Sequence, residues 1–168
     1  MSKISMHAMS VGLFLPMLSN LQAILDKGVA SAEARKFDPQ VLADARLAPD
    51  MHPLIKQVQI ACDMAKNGVA RLAGQEPPKH EDNEKTFADL RARVDKTIAF
   101  IKSVPSSAID GSEDRDIRVP MRDRTLELKG LKYLQGFVLP NFYFHIVATY
   151  VILRHNGVDV GKMDYMGR

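Results

Sequence analysis

Three polar side chains interrupt an otherwise apolar segment near the C-terminal end of the sequence. Between Phe137 and Leu153, every residue is apolar or aromatic except Asn141, His145 and Thr149. Each step of four residues advances about 40° around an α-helix, so these side chains form one narrow polar stripe. Helical bundles place ligand and metal sites on such inward-facing stripes, and histidine is the commonest metal ligand. The stripe is therefore a candidate binding surface, with His145 as a candidate metal ligand.

A second group of polar side chains lies on the helix predicted from Pro53 to Leu72. Their spacing places them on one broad helix face, from which they are expected to face the first stripe across the bundle: Gln59, Cys62, Asp63 and Lys66. None of them is a histidine. A zinc site usually has three or four protein ligands, so a metal on His145 would need ligands of other residue types. Besides His145, the sequence offers Asp63, Cys62 or His52 as ligands for a divalent metal such as Zn or Ni.

Each of these residues also has an ordinary structural interpretation. Asn141, His145 and Thr149 can face water or satisfy backbone groups inside the core, as most buried polar groups do. Cys62 can act as a small core hydrophobe, and Asp63 as a solvated surface charge. The sequence leaves both interpretations open.

Apolar periodicity predicts that these residues are positioned by a bundle of four long helices. The expected elements are a helix ending near Gly28 and bent at Pro16, a short turn at 38–45, a helix at 53–72, a third helix at 87–101 capped by Asn83, and a last helix at 131–156. Alternating polar and apolar residues at 117–119 and 125–128 predict a short β-hairpin before the last helix. The predicted fold is mainly all-α, with an up-down bundle as one domain over residues 1–168.

Composition excludes several classes of protein. The single cysteine rules out an intramolecular disulfide, and a net charge of +3 spread along the chain gives no nucleic-acid-binding patch. The sequence has no phosphate-binding loop, serine-hydrolase elbow or zinc-protease motif. The apolar run from Phe137 to Leu153 is shorter than the ~20 residues that span a membrane. With core periodicity in the first helix, these features predict a cytoplasmic protein that does not contact membranes.

Three segments carry a family resemblance: ARLAPDMHPLIKQVQIACDMAK at 45–66, EDNEKTF at 81–87 and LPNFYFHIVATYVILRHNGVDVGKMDYMG at 139–167. Together they resemble the bacterial domain-of-unknown-function family 1993, within the DinB/YfiT-like superfamily. The resemblance implies a four-helix bundle, often dimeric, that often holds a divalent metal on three histidines. Only His145 matches that triad, and Asn141 stands at the position of a second histidine.

The most direct functional hypothesis is a small ligand bound in a polar pocket between the second and fourth long helices. The alternatives are a divalent-metal-dependent enzyme with His145 as a ligand, and a non-catalytic dimeric structural or interaction protein. A homodimer on the first and fourth helices is expected because the last helix is apolar on nearly all sides, more than one core can cover. The C-terminal tail through Tyr165 offers an intramolecular cover instead.

Overall fold

The computed structural model describes residues 4–168, in which four long helices pack into a bundle and a β-hairpin precedes the last of them. The predicted fold class is confirmed. The elements in chain order are α1 Met6–Met9, α2 Val11–Ala34, α3 Gln40–Ala43, α4 Leu54–Leu72, α5 Phe87–Ser103, α6 Ser106–Ile109, β1 Asp116–Pro120, β2 Thr125–Lys129, α7 Gly130–Tyr133, a π-helical turn Leu134–Val138, α8 Leu139–His155 and α9 Lys162–Met166.

The core is centred on α4, which packs against α8 on one side and α5 on the other. Its fully buried stripe consists of Leu54, Val58, Ala61, Ala65, Val69 and Leu72. Gly68 lets the π-helical turn approach closely, because a Cβ at this position would lie 2.8 Å from Val138 Cγ1. The rings of Phe14 and Phe142 meet edge to face, 4.8 Å between centroids, and join α2 to α8.

The first long helix does not end near Gly28, as predicted, but continues to Ala34. Gly28 is a packing residue, since a Cβ there would lie 3.2 Å from Leu153 Cδ2 on α8. The chain leaves the helix at Lys36, which has a positive φ of 57°. A glycine in a helical pattern can thus mark a close helix contact instead of a stop.

The predicted cap of the third long helix is also wrong, because Thr86 and not Asn83 begins α5. The Thr86 hydroxyl accepts a hydrogen bond from the Asp89 amide at 3.1 Å, and the Asp89 carboxylate accepts one from the Thr86 amide at 2.9 Å. This reciprocal capping box satisfies two amides at the helix start.

The last long helix runs from Gly130 to His155, close to the predicted 131–156, and the π-helical turn Leu134–Val138 lies within it between α7 and α8. Pro140, which has no N–H to donate, lies two residues after the end of this turn. The hairpin pairs β1 with β2 antiparallel, with Ile117 opposite Leu128. Ile117 and Val119 are buried against the bundle, so the helices support this two-stranded unit.

Two helical stretches, Met6–Ala34 and Gly130–His155, are long and apolar enough to cross a membrane by length and composition. The core helices of soluble proteins meet the same criteria. In this fold both stretches contribute fully buried side chains to one core, such as Leu18 and Ile146.

Candidate functional site

His145 lies on α8 and is half-buried, with its ring turned toward α4. Its Nδ1 atom lies 2.6 Å from the Oε1 atom of Gln57. Gln57 is buried, and its Nε2 atom donates a hydrogen bond to the His52 carbonyl oxygen at 3.0 Å. A chain of hydrogen bonds therefore connects the loop before α4, through Gln57, to the imidazole of His145.

This hydrogen-bond chain sets the tautomer of His145. Because the Gln57 amide nitrogen is used by the His52 carbonyl, its oxygen must face the imidazole, and Nδ1 must donate. Burial, and then the nearby charge of His52, lowers the pKa of His145 to about 4. At neutral pH the ring is therefore uncharged and carries a lone pair on Nε2. Within residues 4–168 this atom has no hydrogen-bond partner and is not enclosed.

The other two residues of the polar stripe are bonded mainly to their own helix. Asn141 donates from Nδ2 to the Phe137 carbonyl at 2.7 Å, and Thr149 donates to the His145 carbonyl at 3.0 Å. Thr149 is fully buried and satisfied, so it has the structural role that the sequence left open. The Oδ1 atom of Asn141 is free of any partner in the described part of the chain, and it lies one helical turn before His145.

The α4 residues predicted to face this stripe point away from it, so the expected pocket is divided between two places. Gln57 and Gln59 are two residues apart, which places them about 200° apart on the helix. Gln57 meets α8, whereas Gln59 donates to the Glu84 carboxylate at 2.8 Å. Cys62 and Asp63 share the Gln59 side and lie near α5. The expectation that they face His145 is therefore wrong, because α4 packs against α8 through its opposite face, which carries Gln57.

Arg93 is the centre of this second cluster. It is 3% exposed and pairs with Asp63 from α4 and with Asp82 and Glu84 from the connection between α4 and α5, each at 3.0 Å. Lys66 is also buried and pairs with Asp63 at 2.9 Å. The cluster holds an irregular segment against the bundle, which is a structural role.

Cys62 is fully buried behind this cluster. Burial raises the pKa of its thiol to about 12, against weaker opposing effects of a hydrogen bond with Thr97 and the charge of Arg93. A protonated, enclosed thiol is neither a nucleophile nor a metal ligand at neutral pH. Cys62 thus fits its interpretation as a small core residue.

The residues around His145 do not fit a three-ligand metal centre. Within residues 4–168, no group of three or more histidine, cysteine, aspartate or glutamate side chains is placed to hold a metal ion. Gln57 and Asn141 stand beside His145, and both use their amide nitrogens in protein hydrogen bonds. A single imidazole with amide oxygens is a weak donor set for zinc or nickel.

Sequence reasoning missed Gln57, which positions His145, and Arg93, which is the centre of the structural cluster. Gln57 lies at the i+3 position from Leu54 in the apolar stripe of α4, where a buried amide needs a partner. Arg93 lies one residue before Val94 within an apolar pattern. A long polar side chain inside a core stripe was the available signal in both cases.

The lowered pKa of His145 predicts acid sensitivity of the fold. The unfolded chain takes up a proton near pH 6.5 and the folded protein only near pH 4, so stability decreases as the pH falls from about 6.5 to about 4. His80, whose pKa burial also lowers to about 4, contributes over the same interval. Urea unfolding at pH 7 and pH 5 should show a smaller loss of stability in His145→Gln than in the native protein. His155→Gln, at an exposed position on α8, is the control and should match the native protein.

Comparison with known proteins agrees with this fold. The family model described as a domain of unknown function, DUF1993, matches residues 6–166. One solved relative is a crystal structure described as a DinB family member protein from Shewanella denitrificans, with 43% sequence identity to this chain and a TM-score of 0.87. The match covers 96% of this chain and 92% of the solved chain. No curated protein matches the chain. Since the family match extends over nearly all residues and the fold of the solved relative is the same, the chain belongs to the DUF1993 family and has a DinB-like helical bundle fold.

Proposed function

We propose that the protein binds a small ligand at the junction of α4 and α8, anchored on His145 Nε2. The ligand carries hydrogen-bond donors, such as an ammonium, amide or hydroxyl group. No reaction is assigned to the site, and a zinc or nickel cofactor is not part of the proposal because the donor set does not fit one.

The observation that carries the proposal is the hydrogen bond from His145 to Gln57. It holds the imidazole in one orientation and leaves Nε2 as an acceptor without a protein partner. Asn141 Oδ1 is a second acceptor on the same stripe of α8. Two acceptors on one rigid helix favour a ligand that donates hydrogen bonds, and fixing both side chains in advance reduces the entropy lost on binding.

The test is a screen of small amines, amides and alcohols against protein with ¹⁵N-labelled histidine at pH 7. A binding fragment should shift the Nε2 resonance of His145 in a saturable way and leave the exposed His155 unchanged. Failure of every fragment to shift His145 selectively would contradict the proposal.

Replacement of His145 by leucine should abolish this binding while the protein still folds. The substitution leaves Oε1 of the buried Gln57 without a donor, which costs about 1–3 kcal/mol, and leucine recovers part of that through apolar burial. Thermal unfolding measured beside fragment binding separates the two effects. An unfolded His145→Leu protein would instead show that His145 is required for the structure.

We also propose that the protein is a homodimer formed through an exposed apolar patch on α8. Phe144 and Val147 are 58% and 41% exposed, and Leu47 extends the patch from the loop before α4. The C-terminal tail covers only part of α8, where Tyr165 packs against Tyr150 with ring centroids 6.3 Å apart. A contiguous apolar surface of this kind favours a symmetric partner.

Sedimentation equilibrium at micromolar concentration tests the dimer. The expected mass is about twice the chain mass of 18.7 kDa, and Phe144→Glu should reduce it to that of one chain without unfolding the bundle. Met121→Glu, at a position 44% exposed on the hairpin turn, is the matched control and should remain dimeric. A native mass of one chain would exclude a stable dimer.

A cytoplasmic location without membrane contact is also proposed. Phe14, Leu18 and Leu21 are fully buried in the core, so cleavage of a leader near residues 20–30 would remove a wall of the bundle. The intact mass of native protein reports whether this segment is retained.

A further inference from the structure

A groove of about 570 Å³ lies between the C-terminal half of α2 and the starts of α3 and α5, and His145 is not among the residues that line it. Its floor is apolar, because Leu25 and Phe87 are 2% and 7% exposed and Val29 is half-buried. We propose that this groove is a second binding site, independent of the one at α8, for a small organic cation that joins an ammonium group to an apolar body.

The size and lining of the groove suit the apolar body of such a molecule. Small-molecule sites have volumes of about 300–1,000 Å³ and are mostly apolar, with a few polar groups that set orientation. Two exposed alanines, Ala30 on α2 and Ala88 on α5, also line the groove, and their side chains are too short to cover the floor. Apolar surface therefore stays open to solvent between two packed helices, and a ligand that covers it gains free energy.

The charges that line the groove favour a cation. Three carboxylates, those of Asp26, Glu33 and Asp38, stand against one positive side chain, that of Arg91. Arg91 is already paired with Asp26, since its Nη1 atom contacts both carboxylate oxygens. Within residues 4–168, Glu33 and Asp38 form no ion pair. Two negative charges at the groove therefore remain without a counterion.

The local structure keeps both carboxylates available. The Oδ1 atom of Asp38 accepts a hydrogen bond from the Gln40 amide at 2.9 Å, which holds the side chain at the start of α3 and leaves Oδ2 for a ligand. Glu33 lies in the last turn of α2, which has no basic residue to pair with it. The positive end of α5 is offset by the Asp89 carboxylate, which accepts the Thr86 amide at 2.9 Å.

The test compares three probes that share one phenyl ring and differ in charge: 2-phenylethylammonium, 2-phenylethanol and 3-phenylpropanoate. Backbone ¹H–¹⁵N NMR at pH 7 should show saturable shifts in the groove, with the ammonium bound tightest and the carboxylate weakest. Equal binding of the ammonium and the alcohol would overturn the assignment to a cation, and no saturable shift with any probe would overturn the site. Shifts of the same amides with protein concentration alone would identify a second copy as the occupant and also overturn the proposal.

Glu33→Gln should weaken binding of 2-phenylethylammonium about fivefold, as expected for loss of one solvated charge contact, and leave 2-phenylethanol binding unchanged. Glu76→Gln is the matched control, because it removes an exposed carboxylate outside the groove. Equal affinities in these two variants would contradict the role of the carboxylates.

Ala30→Leu should weaken binding of both probes, because the larger side chain fills the groove from an exposed helix position that tolerates leucine. Unchanged affinities in this variant would place the probes elsewhere and overturn the site. His145→Leu should leave binding in the groove unchanged, so this site and the one at α8 can fail independently.

Discussion

Replacement of Arg93 by leucine is expected to lower the free energy of unfolding by about 3–5 kcal/mol. The guanidinium side chain is almost completely buried and pairs with carboxylates of Asp63, Asp82 and Glu84. Removing it leaves these groups close together without a positive partner, and Glu84 is itself mostly buried. It also releases the Glu81 carbonyl oxygen, which accepts a hydrogen bond from Arg93 Nη1 at 3.1 Å.

Arg91→Leu provides the control for this change on the same helix. Arg91 pairs with Asp26, but both side chains are about half exposed, so the expected loss is much smaller than for Arg93. Urea unfolding at pH 7 measures both variants. Similar losses for the two would show that the buried network contributes no more than a surface ion pair.

The second large effect is expected for Gly130→Ala, with a loss of about 3 kcal/mol. Gly130 begins α7 directly after β2, and a Cβ at this position would overlap the Ser112 carbonyl oxygen. That oxygen belongs to the backbone, so no side-chain rotation relieves the overlap. The adjoining amide of Leu131 donates to the Glu113 carbonyl at 2.9 Å, which ties the two segments together.

Gly136→Ala separates this packing effect from the general effect of alanine in a helix. Gly136 is exposed in the π-helical turn, and a Cβ there would meet no atom within 4 Å. Alanine is therefore expected to be neutral or to stabilise the protein by up to about 1 kcal/mol. Thermal unfolding compares the two variants. A Gly130→Ala protein as stable as Gly136→Ala would mean that the junction moves apart easily.

Residue patterns were sufficient to predict the elements that position the site. The apolar periodicity in 53–72 corresponds to α4, and the alternation around 117–128 corresponds to the hairpin. The predicted boundaries were wrong at the end of the first long helix and at the start of α5, each for a physical reason. Gly28 relieves crowding against Leu153 instead of ending a helix, and Thr86 competes successfully with Asn83 because Asp89 completes its capping box.

The candidate site was only partly predictable. The stripe containing His145 follows from helical spacing, since Asn141, His145 and Thr149 are four residues apart. The partner of His145 does not follow from spacing. Gln57 and Gln59 are the same residue type on opposite faces of one helix, and the contacts of α4 with α8 and α5 decide which of them meets the imidazole.

By itself, the sequence determined the helical composition of the bundle, the inserted hairpin and the exceptional apolarity of the last helix, because these depend on local periodicity. Only the tertiary structure decided which face of α4 packs against α8 and where the segment before α5 lies. Those features separate Gln57 with His145 from the cluster around Arg93. Hydrogen bonds and ion pairs between residues far apart in sequence act after the helices have packed, so spacing along one helix does not encode them.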